Sequence, residues 1–150
     1  MTSMIDEKDE NILKELKKNS RQTTKSISES TKIPRVTVYE RIQKMTEKKV
    51  IKSFTIVPDY EKIGLQFKAF IFLKLEKDPS ITNRQVAYEI AKTPGVYEVH
   101  IISGEHDLLI KVRGHTLDDI SKLVIDKFRV LKGVSGTLTM TAFETIKEEV

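Results

Sequence analysis

The chain has no cysteine in 150 residues, which removes disulfide frameworks, thiolate nucleophiles, Cys-ligated zinc and iron–sulfur clusters together and agrees with a reducing compartment. No apolar run approaches the roughly 18 residues needed to span a bilayer. Met1 to Glu10 is polar and acidic, unlike a secretory or transit leader. The expected address is the cytoplasm, with no membrane partner. Signatures of catalysis are missing too: there is no Gly-x-x-x-x-Gly-Lys loop, no Gly-x-Ser-x-Gly turn, no His-Glu-x-x-His and no carboxylate pair that the pattern places in one cleft. His100 and His106 lack a third ligand at suitable spacing. The chain is therefore not expected to be an enzyme, and neither a metal nor a cofactor is predicted. Apolar residues make up 39% and charged residues 32%, so modest cores under a charged surface are expected, and two small modules fit this length best.

Charge divides the chain. Residues 1–60 hold 13 Lys and Arg against 9 Asp and Glu, whereas residues 61–150 hold 13 of each. The N-terminal excess sits in residues 17–52, with 11 basic and 3 acidic side chains. Such a concentration draws a polyanion, most often nucleic acid, to one module and spares the other.

The basic module, residues 1–52, reads as three short helices. Ile5, Ile12, Leu13 and Leu16 recur at helical spacing before Asn19-Ser20 breaks the pattern. A second helix starts near Thr23-Thr24 and runs through Ile27 to about Thr31, and Lys32-Ile33 forms the turn. The third opens at Pro34, whose fixed φ suits a first turn, and runs to Lys48 or Lys49 with Val38, Ile42 and Met45 facing inward. Two short helices around a tight turn form a helix-turn-helix. At about 100° per residue, Val36, Tyr39, Glu40, Gln43, Lys44 and Glu47 point outward, where they can meet a major groove. Arg35, Val36, Tyr39, Glu40 and Gln43 form the base-facing set, with Arg35 suited to guanine and Val36 to a thymine methyl, and Thr37 joins them as a DNA-binding residue. Arg21, Thr23, Lys25, Lys44 and Lys49 are assigned to phosphates of double-stranded DNA. Arg41 lies nearer the buried side and is suited to pair with an acid on the first helix.

Residues 50–60 switch to β-branched and aromatic alternation and stop at Pro58-Asp59, which predicts a strand serving as a hinge, with residues 53–63 as the linker. Residues 64–150 then order themselves as strand (Leu65 to Glu76), helix (Asn83 to Lys92), strand (Val96 to Ser103), strand (Asp107 to Arg113), helix (Leu117 to Phe128) and strand (Val134 to Phe143). The helices are expected to bury Val86, Ala87, Ile90 and Ala91, and Leu117, Ile120, Val124, Phe128 and Leu131. Thr93-Pro-Gly-Val96 and Leu131-Lys-Gly-Val134 repeat a helix-ending Gly and a strand-opening Val. The order βαββαβ with that echo predicts an α+β protein: a three-helix or winged helix-turn-helix module followed by a ferredoxin-like module. RNA-binding domains share this order, but their aromatics are missing from Val99-His-Ile-Ile-Ser103 and Leu108 to Val112.

In the last strand Thr137, Thr139 and Thr141 alternate with Leu138, Met140 and Ala142, so the apolar set is expected against the helices and the hydroxyls on the open face. In the first, Phe67, Ala69, Ile71 and Leu73 alternate against Phe70, Phe72 and Leu75, leaving both faces apolar. A second copy packed face to face covers that surplus and sets two helix-turn-helix modules on a palindromic site, so a homodimer is expected. In Ser103-Gly-Glu-His-Asp107 a glycine frees backbone N–H groups for a carboxylate and Asp107 supplies an anion for an ammonium, the two halves of amino-acid recognition. The same residues also fit a plain hairpin turn.

The chain resembles the Lrp/AsnC family of feast/famine transcription regulators, most closely their archaeal members, over essentially its whole length. The resemblance rests on Ile5-Asp6 with Asp9 and Ile12-Leu13, on Arg21, Ile33, Thr37-Val38, Arg41-Ile42 and Val50-Ile51, on the Pro58 to Gly64 stretch, and on Gly104-x-x-Asp107 before an apolar strand. Lys32 and Pro34 stand where the family usually has Gly and a capping Ser, and Glu105-His106 replace a polar-Tyr pair. The resemblance implies a DNA-binding regulator whose dimers assemble further, commonly to octamers, with a small amino-acid effector between dimers. Gly104 and Asp107 become ligand contacts, with Glu105, His106, Thr139 and Thr141 as neighbours. The polar loop favours a polar amino acid such as glutamine over leucine. An amino-acid-binding regulator acting on a protein partner instead of DNA is the alternative.

Overall fold

The computed structural model describes residues 4–78 and 80–149. The chain divides into two compact units, Met1–Val57 and Pro58–Val150.

The first unit holds α1 (Glu7–Lys18), α2 (Thr24–Thr31) and α3 (Arg35–Glu47), with no strand among its described residues. Asp6 caps α1 in a reciprocal box with Asp9, and Thr23 caps α2 by accepting from the Ser26 N–H. Ile12, Ile27, Ile33, Val38, Met45 and Ile51 pack as one small core. Lys32 ends α2 at φ 60°, a left-handed conformation in which its Cβ is crowded. Glycine removes that crowding, so Lys32→Gly is expected to stabilise this unit by about 1 kcal/mol in urea unfolding. A neutral or negative change contradicts the strain.

The strand expected over residues 50–60 does not form: residues 52–59 join no ladder, and Phe54, Ile56 and Val57 stand exposed. The sequence has strand character, but a strand needs a hydrogen-bonding edge, and among the described residues none pairs with this segment.

The second unit holds β1 (Phe67–Leu75), α4 (Asn83–Ala91), β2 (Val96–Ile101), β3 (Leu108–Gly114), α5 (Leu117–Lys122) and β4 (Val134–Thr141). They make the predicted βαββαβ order in a four-stranded antiparallel sheet, β2-β3-β1-β4. Ala69, Ile71, Leu73, Leu108, Ile110 and Val112 meet Val86, Ile90, Ile120, Val124 and Phe128 from the helices. Gly95 and Gly133 both sit at φ 89°, so the repeated Gly-Val step is a repeated turn that only glycine takes without strain. The last helix does not stay α-helical to Phe128. Residues Leu123–Phe128 form a π turn in which the Arg129 N–H donates to the Val124 carbonyl at 2.9 Å. Leu117 and Ala91, expected inside, are exposed because they occupy the ends of their helices, beyond the sheet's cover.

The faces of the last strand are the reverse of those expected. Thr137, Thr139 and Thr141 stand opposite Leu73, Ile71 and Ala69 on the helix side, whereas Leu138 and Met140 stand opposite Phe72 and Phe70 on the open side. The cause is a bulge. Leu75 pairs with Val134 but Lys74 pairs with Gly136, so Ser135 is an extra residue, and one extra residue inverts every face that follows. Leu75 likewise packs with the helix-side core, not with Phe70 and Phe72.

Candidate functional site

On α3 the inner face is pinned at Val38 and Met45, and the outer face is open. Val36 is 68% exposed and Tyr39 54%, and Arg35, Glu40, Gln43 and Lys44 are exposed beside them. Thr37 is half-buried at the edge of this face. Two contacts preset the surface: the Gln43 amide donates to the Tyr39 hydroxyl at 2.7 Å, and Arg35 Nε donates to Thr24 Oγ1 at 3.1 Å, tying α3 to α2. Arg21, Thr23, Lys25 and Lys49 are exposed. Among the described residues Lys25 is held only by a surface pair with Glu29 at 4.0 Å, which a phosphate readily displaces.

Arg41 pairs with acids at the start of α1, as its inward position predicts. Its Nη1 donates to Asp6 at 2.7 and 2.8 Å and to Asp9 at 2.9 Å. Hydrogen bonding to Asp6 raises the guanidinium further above its ordinary range. The Asp6 carboxyl is lowered first by the Asp9 backbone N–H and then by Arg41. These contacts tie α3 to α1 and neutralise the Arg41 charge, while Asp6 itself stays exposed.

In the second unit the Ser103 to Asp107 loop joins β2 to β3. Gly104 has φ 118°, and a Cβ placed there meets nothing within 4 Å; glycine is needed for the backbone angle, and the space above it is open. Among the described residues, the N–H groups of Ser103, Gly104, Glu105 and His106 donate no hydrogen bond. Asp107 is fixed: its Oδ2 accepts from the Leu75 N–H at 2.7 Å and its own N–H donates to Leu73 at 2.9 Å. The His106 ring tilts over Phe72 at 5.4 Å, on the open side of the sheet. Thr139 and Thr141 lie on the other side, opposite Ile71 and Ala69. Within one chain Gly104, Glu105, His106 and Asp107 come together, and the two threonines do not join them.

Sequence reasoning missed a third cluster. Lys68 on β1 stands opposite Arg113 on β3, and Phe70 opposite Lys111, so three cations share the open face. Lys68 and Arg113 are 7% exposed. Glu148, beyond β4, accepts from Lys68 at 3.2 Å, from Arg113 Nη2 at 2.9 and 3.1 Å, and from Lys111. Glu98 on β2 also pairs with Lys111, at 3.0 Å. Hydrogen bonding from Lys111, joined by Lys68, draws the Glu148 carboxyl down to about 2 against the opposing effect of burial. A lowered carboxyl stabilises the folded chain at pH above its unfolded value of 4.5, and that contribution is lost as pH falls through about 2. The sequence carries Lys111 and Arg113 at alternate positions of β3 and Lys68 near the start of β1, but only the pairing of the two strands brings them together.

Among the described residues no helix is long and apolar enough to cross a membrane, and no cluster of three metal-ligating side chains occurs. Two family models match: a winged helix-turn-helix DNA-binding model over residues 5–52 and the Lrp/AsnC ligand binding domain over residues 68–150. An uncharacterized HTH-type transcriptional regulator of Pyrococcus abyssi is 47% identical over the full length of both chains. The HTH-type transcriptional regulator FL11 of Pyrococcus horikoshii is 33% identical, over 96% of this chain and 93% of its own. In fold, a transcriptional regulator from Neisseria meningitidis crystallised as an L-Met complex superposes with a TM-score of 0.90 at 22% identity, covering 97% of this chain and 94% of that one. Carrying both models in order, and nearly half identical to a full-length relative, the chain belongs to the Lrp/AsnC family of transcriptional regulators.

Proposed function

We propose that the protein binds specific duplex DNA sequences as a homodimer and that a small amino acid at the Gly104 to Asp107 loop changes its assembly, and through it DNA binding. The observation that carries the reading is the exposed face of α3 on a helix locked from behind by Arg41, Asp6 and Asp9. Preorganisation of that kind lets side chains at the start of α3 address base edges. Arg35, Val36, Tyr39, Glu40 and Gln43 face the bases with Thr37 at their edge, and Arg21, Thr23, Lys25, Lys44 and Lys49 face phosphates. On the open side of the sheet Phe72, Leu138 and Met140 supply apolar area for a second copy, and further assembly to an octamer extends the same scheme. The amino acid links dimers, so its effect on DNA is a coupling through assembly.

At the loop, undonated N–H groups suit the effector's carboxylate and Asp107 suits its ammonium. The N. meningitidis neighbour was crystallised with L-Met, which supports the ligand class, and glutamine is the first amino acid to test here. Because Asp107 also holds the Leu75 N–H, two substitutions separate its roles. Asp107→Asn keeps an acceptor for Leu75 and loses the charge; it is expected to fold normally and to weaken amino-acid binding at least tenfold by calorimetry. Asp107→Ala loses both and also costs about 1–3 kcal/mol. Unchanged amino-acid binding in the Asn variant refutes the site. A gel shift with duplex DNA across a salt series tests the DNA arm; no duplex binding at low salt refutes it.

A further inference from the structure

We propose that residues 142–149 form a strap which Glu148 fastens across Lys68, Lys111 and Arg113 of its own chain, and that the fastened strap holds out Phe143 and Ile146 as apolar anchors for a second copy. The inference rests on the homodimer proposed above and names what makes the open side of the sheet fit to be covered.

The strands set the fastening point. Antiparallel pairing puts Lys68 beside Arg113, with Lys111 one pair further along the same face. A second bulge, between Val96 and Glu98 on β2, keeps Val96 and Val99 with the core and turns Glu98 toward Lys111. The Arg113 guanidinium lies 3.8 Å over the Tyr60 ring, and Tyr97 packs edge-on against Tyr60 at 5.5 Å. That stacking fixes the plane in which Nη2 meets Glu148. The end of β4 is still tied to β1, where the Ala142 N–H donates to the Lys68 carbonyl at 2.9 Å. From Phe143 to residue 149 the chain forms no helix or strand, and it brings Glu148 back onto the cations of β1 and β3.

Charge gives the first reason for the strap. Among the described residues, Glu98 and Glu148 answer two of the three cations, and without Glu148 only Glu98 remains. Each copy then carries two uncompensated positive charges into the contact, where desolvation and mutual repulsion oppose pairing. The apolar side chains give the second. Phe143 is fully exposed and Ile146 86% exposed, so the hydrogen bonds of Glu148 secure a segment that buries neither of them. The strap adds little to its own core; it holds two large apolar groups in water, which a second copy would remove from solvent. Leu138 and Met140, exposed on the same side of the sheet, continue that apolar surface toward Phe72. An opening of about 330 Å³ between strap and sheet, lined by Phe70 and Ile146, leaves room for an inserted side chain of the second copy.

Sedimentation equilibrium of the full chain tests this. Glu148→Gln keeps the length of the strap and removes its charge, and it is expected to raise the dimer dissociation constant about tenfold or more. Phe143→Ser together with Ile146→Ser removes the anchors and is expected to do the same, about tenfold or more. Both side chains are exposed in the single chain, so the far-UV circular dichroism of this variant is expected to be unchanged, and it tests the strap even where Glu148→Gln fails to fold. All three substitutions together are expected to weaken the dimer little more than either change alone, because both act through one segment. An unaltered chain that sediments as a monomer at micromolar concentration removes the homodimer and this inference with it. An unaltered dimer whose affinity survives Glu148→Gln, or survives loss of the two anchors, overturns the strap alone. Losses that multiply in the combined variant overturn it as well, and so does unfolding of Glu148→Gln, since Glu148 then holds the fold and not the strap.

Discussion

For the homodimer proposed above, raising salt from 50 to 200 mM is expected to weaken binding to duplex DNA by about 10⁴-fold. Arg21, Lys25, Lys44 and Lys49 are exposed on the first unit, and two copies bring eight such cations to one DNA. Each phosphate neutralised releases condensed counterions, so the slope of log affinity against log salt is about −7 for eight contacts. Lys44→Gln, present in both copies, is expected to make that slope shallower by about two while weakening all sequences alike. Arg35→Ala is expected to act differently, costing about 1–3 kcal/mol at one base position and leaving the slope unchanged. Fluorescence anisotropy on a cognate and a scrambled duplex reads both quantities. A slope near zero removes the phosphate assignment. An Arg35→Ala variant with unaltered discrimination removes the base assignment.

Phe128→Ala is the most damaging single change expected in the second unit, costing about 3–5 kcal/mol. Phe128 is fully buried and is the largest of the fully buried side chains. It sits at the end of the π turn, where it closes the helix-side core against the sheet. Truncation leaves a cavity that a tightly paired four-stranded sheet cannot collapse to fill. For a unit of this size the loss lowers the melting temperature by roughly 15–30 °C. Phe128→Leu keeps most of the volume and is expected to lose far less. Differential scanning calorimetry of both variants checks this, and a loss below about 1 kcal/mol for the alanine shows that the core does not depend on this ring.

The elements most legible in the sequence were those defined by near neighbours. Thr82 with Gln85 and Thr116 with Asp119 form capping boxes at the helix starts, and the Gly-Val echo fixed two turns at the same φ. The exposed stripe on α3 followed from 100° periodicity, and the inward lean of Arg41 followed from the same count. The hinge strand failed for a different reason: residues 50–60 have strand composition, but composition supplies no partner.

The amino-acid sequence by itself determined two modules, a cationic helix-turn-helix and a βαββαβ sheet-and-helix unit, because caps, turns and apolar periods act over a few residues. Tertiary structure alone decided which face of β4 meets the helices and which charges meet on the open face. The first depends on the bulge at Ser135, and the meeting of Glu98 with Lys111 depends on the bulge between Val96 and Glu98. A bulge shifts every later side chain to the opposite face, and it is defined by pairing with residues distant in the chain. The Lys68, Lys111 and Arg113 cluster needs no bulge: it comes from the regular antiparallel register of β1 and β3, strands distant in the chain.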